Sequence, residues 1–459
     1  MEHAALEVTQ GVTVFFSVLL FLMVLSLALE EKIHAQKSVI VSFFAILSLV
    51  FATALGLLPF GDVTLPNGHL VPIPVYIPAV DWGVIAIILG SSVFVDVTSR
   101  SGLFTWVAIK LTKASKGDSL KLLWYYGFLT VIFSAVLNNV TAMIIIGSLT
   151  AVSLNKLKKA DQLLGFLLIE GLLTNIGGLM TLISSVPNII VGSAAEITFI
   201  QFFVTASPYV LVATLVTIIL GAKIFSIKPL TDEAAIAESA TLIESFDEND
   251  GIESKGFFWF AAGMLILFIL TIATTSILPV ARDLGMGFVA ITFAVIMLLR
   301  FKSEAGQFYR SVDWDLIIFF ITLFVVINVM EHAMVLELIG KGITFVIGTE
   351  DSLFGTGALL VLSAVFSSVT DNIPLAAMLA KILAAAGTNP DSPLWWAVVF
   401  GANLGGNITP IGSASTLVAV TIIHKNNIQM SFVGFVKVAL PFAIAQILLA
   451  LVYVLVFLY

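Results

Sequence analysis

Runs of about 17 to 25 consecutive apolar residues recur from one end of this chain to the other, each long enough to cross a hydrocarbon layer of about 30 Å as a helix. Backbone polar groups inside lipid have to be satisfied within the segment, so such runs are helices. A membrane β-barrel would need strands of alternating polarity, and Val12 to Leu29 is apolar on every face. The composition agrees: 59% of the 459 residues are hydrophobic, only 11% are charged, and the mean hydropathy is +1.10. The absence of cysteine excludes disulfides, thiolate metal sites and a cysteine nucleophile. The five histidines show no metal-ligand spacing, and the net charge of −8 argues against nucleic acid as a partner. The first apolar run follows an acidic start without a basic region or a cleavage signal, and reads as a retained span.

The spacing predicts spans near 11–29, 38–58 and 82–98, a polar-tipped double segment at 121–153, a broken segment at 162–194 and a span at 207–226. The segment 227–256 has no sustained apolar run and carries eight acidic residues between Asp232 and Glu253, which predicts a solvated linker. Beyond it the order recurs: spans near 257–280, 284–300 and 314–330, a double segment at 353–386, a broken segment at 394–423 and a last span at 438–458. The recurrence reaches individual residues. Val80-Asp81-Trp82 returns as Val312-Asp313-Trp314, 232 residues on, Asn138-Asn139 as Asp371-Asn372, 233 on, and Asn175-Ile176-Gly177-Gly178 as Asn403-Leu404-Gly405-Gly406, 228 on. Three motifs in one order at nearly one offset indicate duplication, which marks transporter folds.

With five crossings and one re-entrant hairpin per repeat, the second copy is inverted. Of the 21 Lys and Arg residues, 18 then fall on one side and only Arg282, Lys341 and Lys381 on the other. The basic side is expected to be cytoplasmic, in a bacterial-type inner membrane, with both termini outside. The expected fold is an all-α polytopic membrane protein: an inverted repeat at 1–226, the linker at 227–256 and the second repeat at 257–459.

The chemistry is expected where the interrupted helices meet. The tips Asn138-Asn139-Val140-Thr141 and Thr370-Asp371-Asn372-Ile373 place short polar side chains between apolar arms, and polar groups in lipid normally face the interior and mark a pathway. The second arm of each double segment starts there, with exposed N–H groups that Asn139 and Asn372 are placed to cap. In the broken segments, Gly177-Gly178 followed by Ser185, Pro187 and Asn188, and Gly405-Gly406-Asn407 followed by Thr409, Pro410 and Ser413, read as unwound backbone lining a polar cavity. Asn175 and Asn403 precede the glycine pairs. Asp371, whose repeat mate is the neutral Asn138, is the expected proton carrier, because desolvation favours the uncharged acid. Asp96, matched by Asn328, is either a second coupling carboxylate or an interior hydrogen-bonded residue. Lys381 is expected to extend to the outer interface, and Asp81 and Asp313 to cap the helices that begin beside them. No catalytic or metal-binding set is present.

At these motifs the chain resembles the arsenite permease and sodium/proton antiporter branch of the ion transporter superfamily. Ile408-Thr409-Pro410-Ile411-Gly412-Ser413 is similar to the arsenite permease pattern, Thr174 to Val191 to the melanosomal P protein, and Asp371-Asn372-Ile373-Pro374 to sodium/proton antiporters. The resemblance implies a homodimer in the lipid bilayer, with a mobile domain containing both hairpins that moves as an elevator. It leaves open whether a soluble ATPase joins it. The tips lack the Ser-Asn-Thr of dicarboxylate carriers, and no midplane arginine is evident. The expected function is therefore efflux of a small hydroxylated solute, arsenite or antimonite, in exchange for protons. Sodium/proton exchange and dicarboxylate symport follow as alternatives. The only energy source required is a proton gradient, with sodium an alternative, and no cofactor is expected. An intramembrane protease would need a His-Glu-x-x-His or Gly-x-Gly-Asp segment, which the chain lacks. A channel is disfavoured by the matched hairpins and broken helices.

Overall fold

The computed structural model describes residues 8–58, 62–64, 67–74, 76–348, 352–370 and 372–459. The N-terminal part consists of α1 (Gln10–Ala28), α2 (Lys37–Ala54), α3 (Trp82–Ser99), α4 (Leu103–Ser115), α5 (Ser119–Val136), α6 (Asn139–Lys156), α7 (Leu163–Gly177), α8 (Val186–Ala194) and α9 (Phe199–Ile224). The C-terminal part consists of α10 (Lys255–Ala273), α11 (Pro279–Arg300), α12 (Trp314–His332), α13 (Val335–Ile347), α14 (Leu353–Ser367), α15 (Asn372–Ala385), α16 (Pro393–Gly405), α17 (Ala414–Lys425) and α18 (Phe432–Phe457). A two-stranded antiparallel ribbon, Asp62–Thr64 with Leu70–Pro72, lies between α2 and α3. Nine helices among the described residues are long and apolar enough to cross a membrane: α1, α2, α3, α5, α9, α10, α11, α12 and α18. Apolar side chains such as Phe21, Val204, Leu448 and Phe457 point outward along them, as lipid-facing residues do.

Local chemistry fixes the helix starts. Asp81 accepts the N–H of Val84 at 3.1 Å and Asp313 that of Leu316 at 3.0 Å, so both are the N-caps expected of them. Ser254, Ser431 and Asp118 cap α10, α18 and α5 in the same way. Helices α9 and α18 begin at Phe199 and Phe432, before the 207 and 438 expected for them, and run through Pro208 and Pro441, whose missing donors the surrounding helix absorbs. The short helices α4 and α13 have no counterpart among the expected spans.

Helices α2 and α12 pack together, as do α3 and α11. A second cluster is built round α7 and α16: α5 lies on α7, α14 on α16, and α9 and α18 flank them. The contacts also cross over. Helix α6 rests on α17 as well as α7, and α15 rests on α8 as well as α16.

The segment 227–256 is largely exposed but ordered. It contains a helix, Glu233–Glu244, and is pinned to the ends of α4, α5 and α6. Lys110 donates to Glu248 at 2.5 Å, Lys113 also pairs with Glu248, and Lys158 donates to Glu238 at 2.7 Å. The Leu230 N–H donates to Asp118 at 3.0 Å, and Phe246 is buried beneath the Lys156 ammonium. Hydrogen bonds from Lys110 and then Lys113 hold the Glu248 carboxyl down to about 2. The basic partners of Glu248, 138 and 135 residues away in sequence, were not visible from the acidic run alone.

Candidate functional site

Helix α5 ends at Val136, and Leu137 and Asn138 are extended, with φ/ψ of −99°/170° and −71°/154°. This geometry makes Asn138, rather than Asn139, the cap of α6: its side chain accepts the Thr141 N–H at 2.7 Å. Asn139, one residue on, turns inward instead. Its Oδ1 accepts from Ser134 at 2.8 Å and its Nδ2 donates to Asn175 Oδ1 at 3.3 Å. At the other tip, Thr370 Oγ1 donates to the Phe366 carbonyl at 2.8 Å, and α15 begins at the buried Asn372. Asp371, the expected proton carrier and the position that would cap α15, lies outside the described residues.

The glycine pairs do not unwind the broken helices. Gly177 and Gly405 are the last residues of α7 and α16, and Gly178 and Gly406 keep right-handed helical angles. Their role is close approach. A Cβ on Gly177 would stand 2.7 Å from the Val131 carbonyl, one on Gly178 2.5 Å from Asn139 Oδ1, and one on Gly405 2.2 Å from the Ala364 carbonyl. Without a side chain the preceding helix pair can lie against these turns. The non-helical backbone follows instead, over residues 179–185 and 407–413, and Pro187 falls in the first turn of α8, where proline is tolerated.

Side chains bind the two breaks to one another. Asn175 Nδ2 donates to Asn407 Oδ1 at 2.8 Å and to Ser413 Oγ at 2.9 Å, and its Oδ1 accepts from Ser415 at 3.1 Å. Asn403 answers from the opposite direction: its Nδ2 donates to Asn188 Oδ1 at 2.9 Å, and its Oδ1 accepts from Ser185 at 2.7 Å. Asn188 in turn donates to the carbonyls of Gly178 and Thr181 at 2.6 and 2.9 Å. Asn407 Nδ2 donates to the Leu172 carbonyl at 3.1 Å and to Gln446 Oε1 at 2.8 Å, and Gln446 donates to Thr217 at 3.0 Å. Thr409 donates to the Ser368 carbonyl at 2.5 Å and Thr181 to that of Ala135 at 2.6 Å, which fastens each tip to a break. Asn175, Asn188, Asn403, Asn407 and Gln446 are all fully buried.

In front of this network is a cavity of about 600 Å³. Of the expected residues, Asn138, Asn139, Thr141, Asn175, Ser185, Asn372 and Ser413 line it, so both tips reach one space. Gly177, Gly178, Asn188, Asn403, Gly405, Gly406, Asn407 and Thr409 do not line it; they stand behind the wall and hold it in place. Asp96 is not on the wall either. It is half-buried near the end of α3 and accepts from Ser311 at 2.7 Å, and only Ser311 reaches the cavity. The cavity extends from the tips to the starts of α2 and α12, where Lys37, Asp313 and Asp315 border it, and Asp315 accepts the Ser38 N–H at 3.2 Å. Lys37 pairs with Glu30 at 3.7 Å.

Ser184, part of the Ser184-Ser185-Val186-Pro187-Asn188 break, also lines the cavity, as do Ser91, Ser92 and Ser415, which were not anticipated from sequence. Ser415 adjoins a motif that was, but Ser91 and Ser92 lie in a continuous span with no break to mark them. Gln446 was missed for the same reason. Glu170 gave a signal, being the only charged residue from Leu163 to Ala195. Lys381 does not extend freely to the interface: half-exposed, it pairs with Glu331 of α12 at 3.6 Å.

Membrane-length helices wrapped round two interrupted helices, with polar side chains of both breaks lining one cavity, are the architecture of a multi-pass membrane transporter. The sequence pattern of the citrate transporter family matches residues 38–401, and the chain belongs to that family. An uncharacterized transporter of Mycobacterium tuberculosis is 28% identical over 382 residues, covering 82% of this chain and 86% of that protein. An uncharacterized transporter of Synechocystis is 25% identical over 462 residues, 96% of each chain. The mouse P protein is 24% identical over 451 residues, 82% of this chain and 54% of the P protein. The crystal structure of the Alcanivorax borkumensis YdaH transporter shares the fold, with a TM-score of 0.57 and 11% identity over 92% of this chain and 98% of that one.

Proposed function

We propose that this transporter carries a small, uncharged, hydroxyl-rich solute, arsenite or antimonite, across a bacterial-type inner membrane in exchange for protons. The observation that carries the reading is the make-up of the cavity's polar wall: at the two tips and two breaks every described polar side chain is an amide or a hydroxyl. Among the described residues this part of the wall offers donors and acceptors without a charged group, Lys37, Asp313 and Asp315 lying at the far border of the cavity, which suits a neutral trihydroxy solute.

In this reading residues 1–226 and 257–459 are inverted copies, each with five crossings and one re-entrant hairpin, joined by the segment 227–256. Several matched contacts support it. Ser134 donates to the Thr174 carbonyl at 2.6 Å and Ser367 to that of Ala402 at 2.6 Å, and the packing of α2 on α12 mirrors that of α3 on α11. The hairpins and broken helices form the moving domain of an elevator, carried by a homodimeric scaffold, with both termini outside. The cavity reaches the ends of α2 and α12, on the basic and therefore cytoplasmic side, so the site faces inward.

A second reading, a carboxylate substrate, is favoured by membership of the citrate transporter family and by Lys37 at the cavity border. Flux into everted vesicles under an imposed pH gradient, with arsenite, Na⁺ and citrate offered in parallel, separates them. Saturable uptake of arsenite with loss of the gradient is the expected result. Movement of citrate alone establishes the second reading, and dissipation by Na⁺ alone refutes both.

A further inference from the structure

One carboxylate is buried away from the cavity. Glu170 lies midway along α7, wholly buried, with its Oε1 accepting from Thr150 Oγ1 of α6 at 2.6 Å. Its Oε2 has no hydrogen-bond partner among the described residues. A single hydroxyl donor cannot compensate a full negative charge in an apolar interior, where an unpaired carboxylate takes up a proton instead.

Hydroxyls lead to it. Thr112 of α4 lies 2.7 Å from the Tyr126 hydroxyl of α5, which lies 2.9 Å from Ser153 of α6, one turn from Thr150. Thr112 is buried just before the loop that carries Lys116, on the side of the basic loops. Tyr126 is the titratable group nearby. The other charged residues on helices packed against α7, Lys121, Lys156, Lys223, His424 and Lys425, are at exposed helix ends, as is Asp161 in the turn before it.

Packing does not demand this chemistry. At the repeat offsets of 228 and 233 residues, Glu170, Thr150 and Tyr126 correspond to Val398, Leu383 and Leu359, all buried and all hydrocarbon. At these three positions the second repeat is filled by hydrocarbon side chains.

We infer that Glu170 is an exchangeable proton-binding site, loaded from the basic side through the hydroxyls of Thr112, Tyr126, Ser153 and Thr150. The carboxylate takes one proton on a carboxyl oxygen and goes from −1 to neutral. Five residues further along the same helix is Asn175, about 7.5 Å away at the helical rise, so the charge changes beside the cavity wall. That this proton drives transport rests on the reading given under Proposed function; that Glu170 binds it does not.

Infrared spectroscopy of the purified protein in nanodiscs, with its glutamates labelled by ¹³C at the carboxyl, tests the site directly. A carboxylic-acid band that persists at neutral pH, shifts in D₂O and vanishes in Glu170→Gln is expected. Absence of the band in the native protein, no D₂O shift, or survival of the band in Glu170→Gln overturns the inference. If Glu170→Gln does not fold, Thr150→Val must shift the band, and an unshifted band is equally fatal. For coupling, Glu170→Gln should keep solute counterflow within twofold and lose gradient-driven accumulation by at least tenfold. Native accumulation in that variant overturns the coupling role. Failure of the native protein to move any offered solute overturns the functional reading and leaves the infrared result standing.

Discussion

Replacing Asn175 by alanine removes the side chain at which both breaks and the first tip meet. Its amide makes four side-chain hydrogen bonds, with Asn139, Asn407, Ser413 and Ser415, at 3.3, 2.8, 2.9 and 3.1 Å. Interhelical hydrogen bonds in membrane proteins are worth about 0.6 kcal/mol each on average and about 1.7 at most, so four give about 2.4 kcal/mol. At about 1.36 kcal/mol per decade that is roughly a 60-fold shift in the folding equilibrium. Of the orphaned partners, Asn407 is fully buried behind the wall, so hydration does not recover its lost bond, whereas Asn139, Ser413 and Ser415 line the cavity. Denaturant titration in mixed micelles measures the change, and a double-mutant cycle with Asn407→Ala isolates their shared bond, expected between about 0.6 and 1.7 kcal/mol. Flux should fall with the order of the tip. A destabilisation below about 0.5 kcal/mol with native flux would refute the claim that this amide joins the two breaks, since it is less than one average bond.

Gly405→Ala should cost about 1 to 3 kcal/mol by pressing on the Ala364 carbonyl, whereas Gly263→Ala, with nothing within 4 Å, should be neutral or slightly stabilising; thermal melts in detergent compare them. Asn138→Ala should lose about 1 kcal/mol of capping, while Asn139→Ala should impair transport more than stability, a contrast read by melting and vesicle flux together. Gln446→Leu strands Asn407 and Thr217 and should lower stability by about 1 to 3 kcal/mol in the same unfolding assay; no change would remove Gln446 from the network. The carboxyl of Glu248 is depressed, so its docking is fully present above the ordinary glutamate range near 4.3 and is lost as pH falls toward about 2. Hydrogen exchange over 227–256 should accelerate in that window, and at neutral pH in Glu248→Gln; unchanged exchange in that variant would show that the segment is held by other contacts.

Much of the site was legible because helix-breaking chemistry is rare in an apolar run. Asn139, Asn175 and Ser413 announce themselves against their surroundings, and the structure brings them into one wall. What the glycine pairs do was not legible. Sequence shows that Gly405 weakens a helix, but only the neighbouring Ala364 carbonyl shows that it is there for proximity. Ser91, Ser92 and Gln446 were hidden for a related reason: a lone polar residue in a continuous span can face lipid, a neighbour or a cavity, and periodicity does not distinguish them. Asp96 was left between two roles, because depth along a helix does not say which partner takes the side chain; in the structure that partner is Ser311, near the end of α3.

The crossed contacts also set the order of assembly. Helix α6 rests on α17, and Asn175 finds Asn407 only 232 residues further along the chain. During synthesis the first break therefore enters the bilayer with the Asn175 Nδ2 unmatched, and it has to wait until nearly the whole chain has emerged. Water, the insertion machinery or a provisional neighbour must shelter that amide meanwhile.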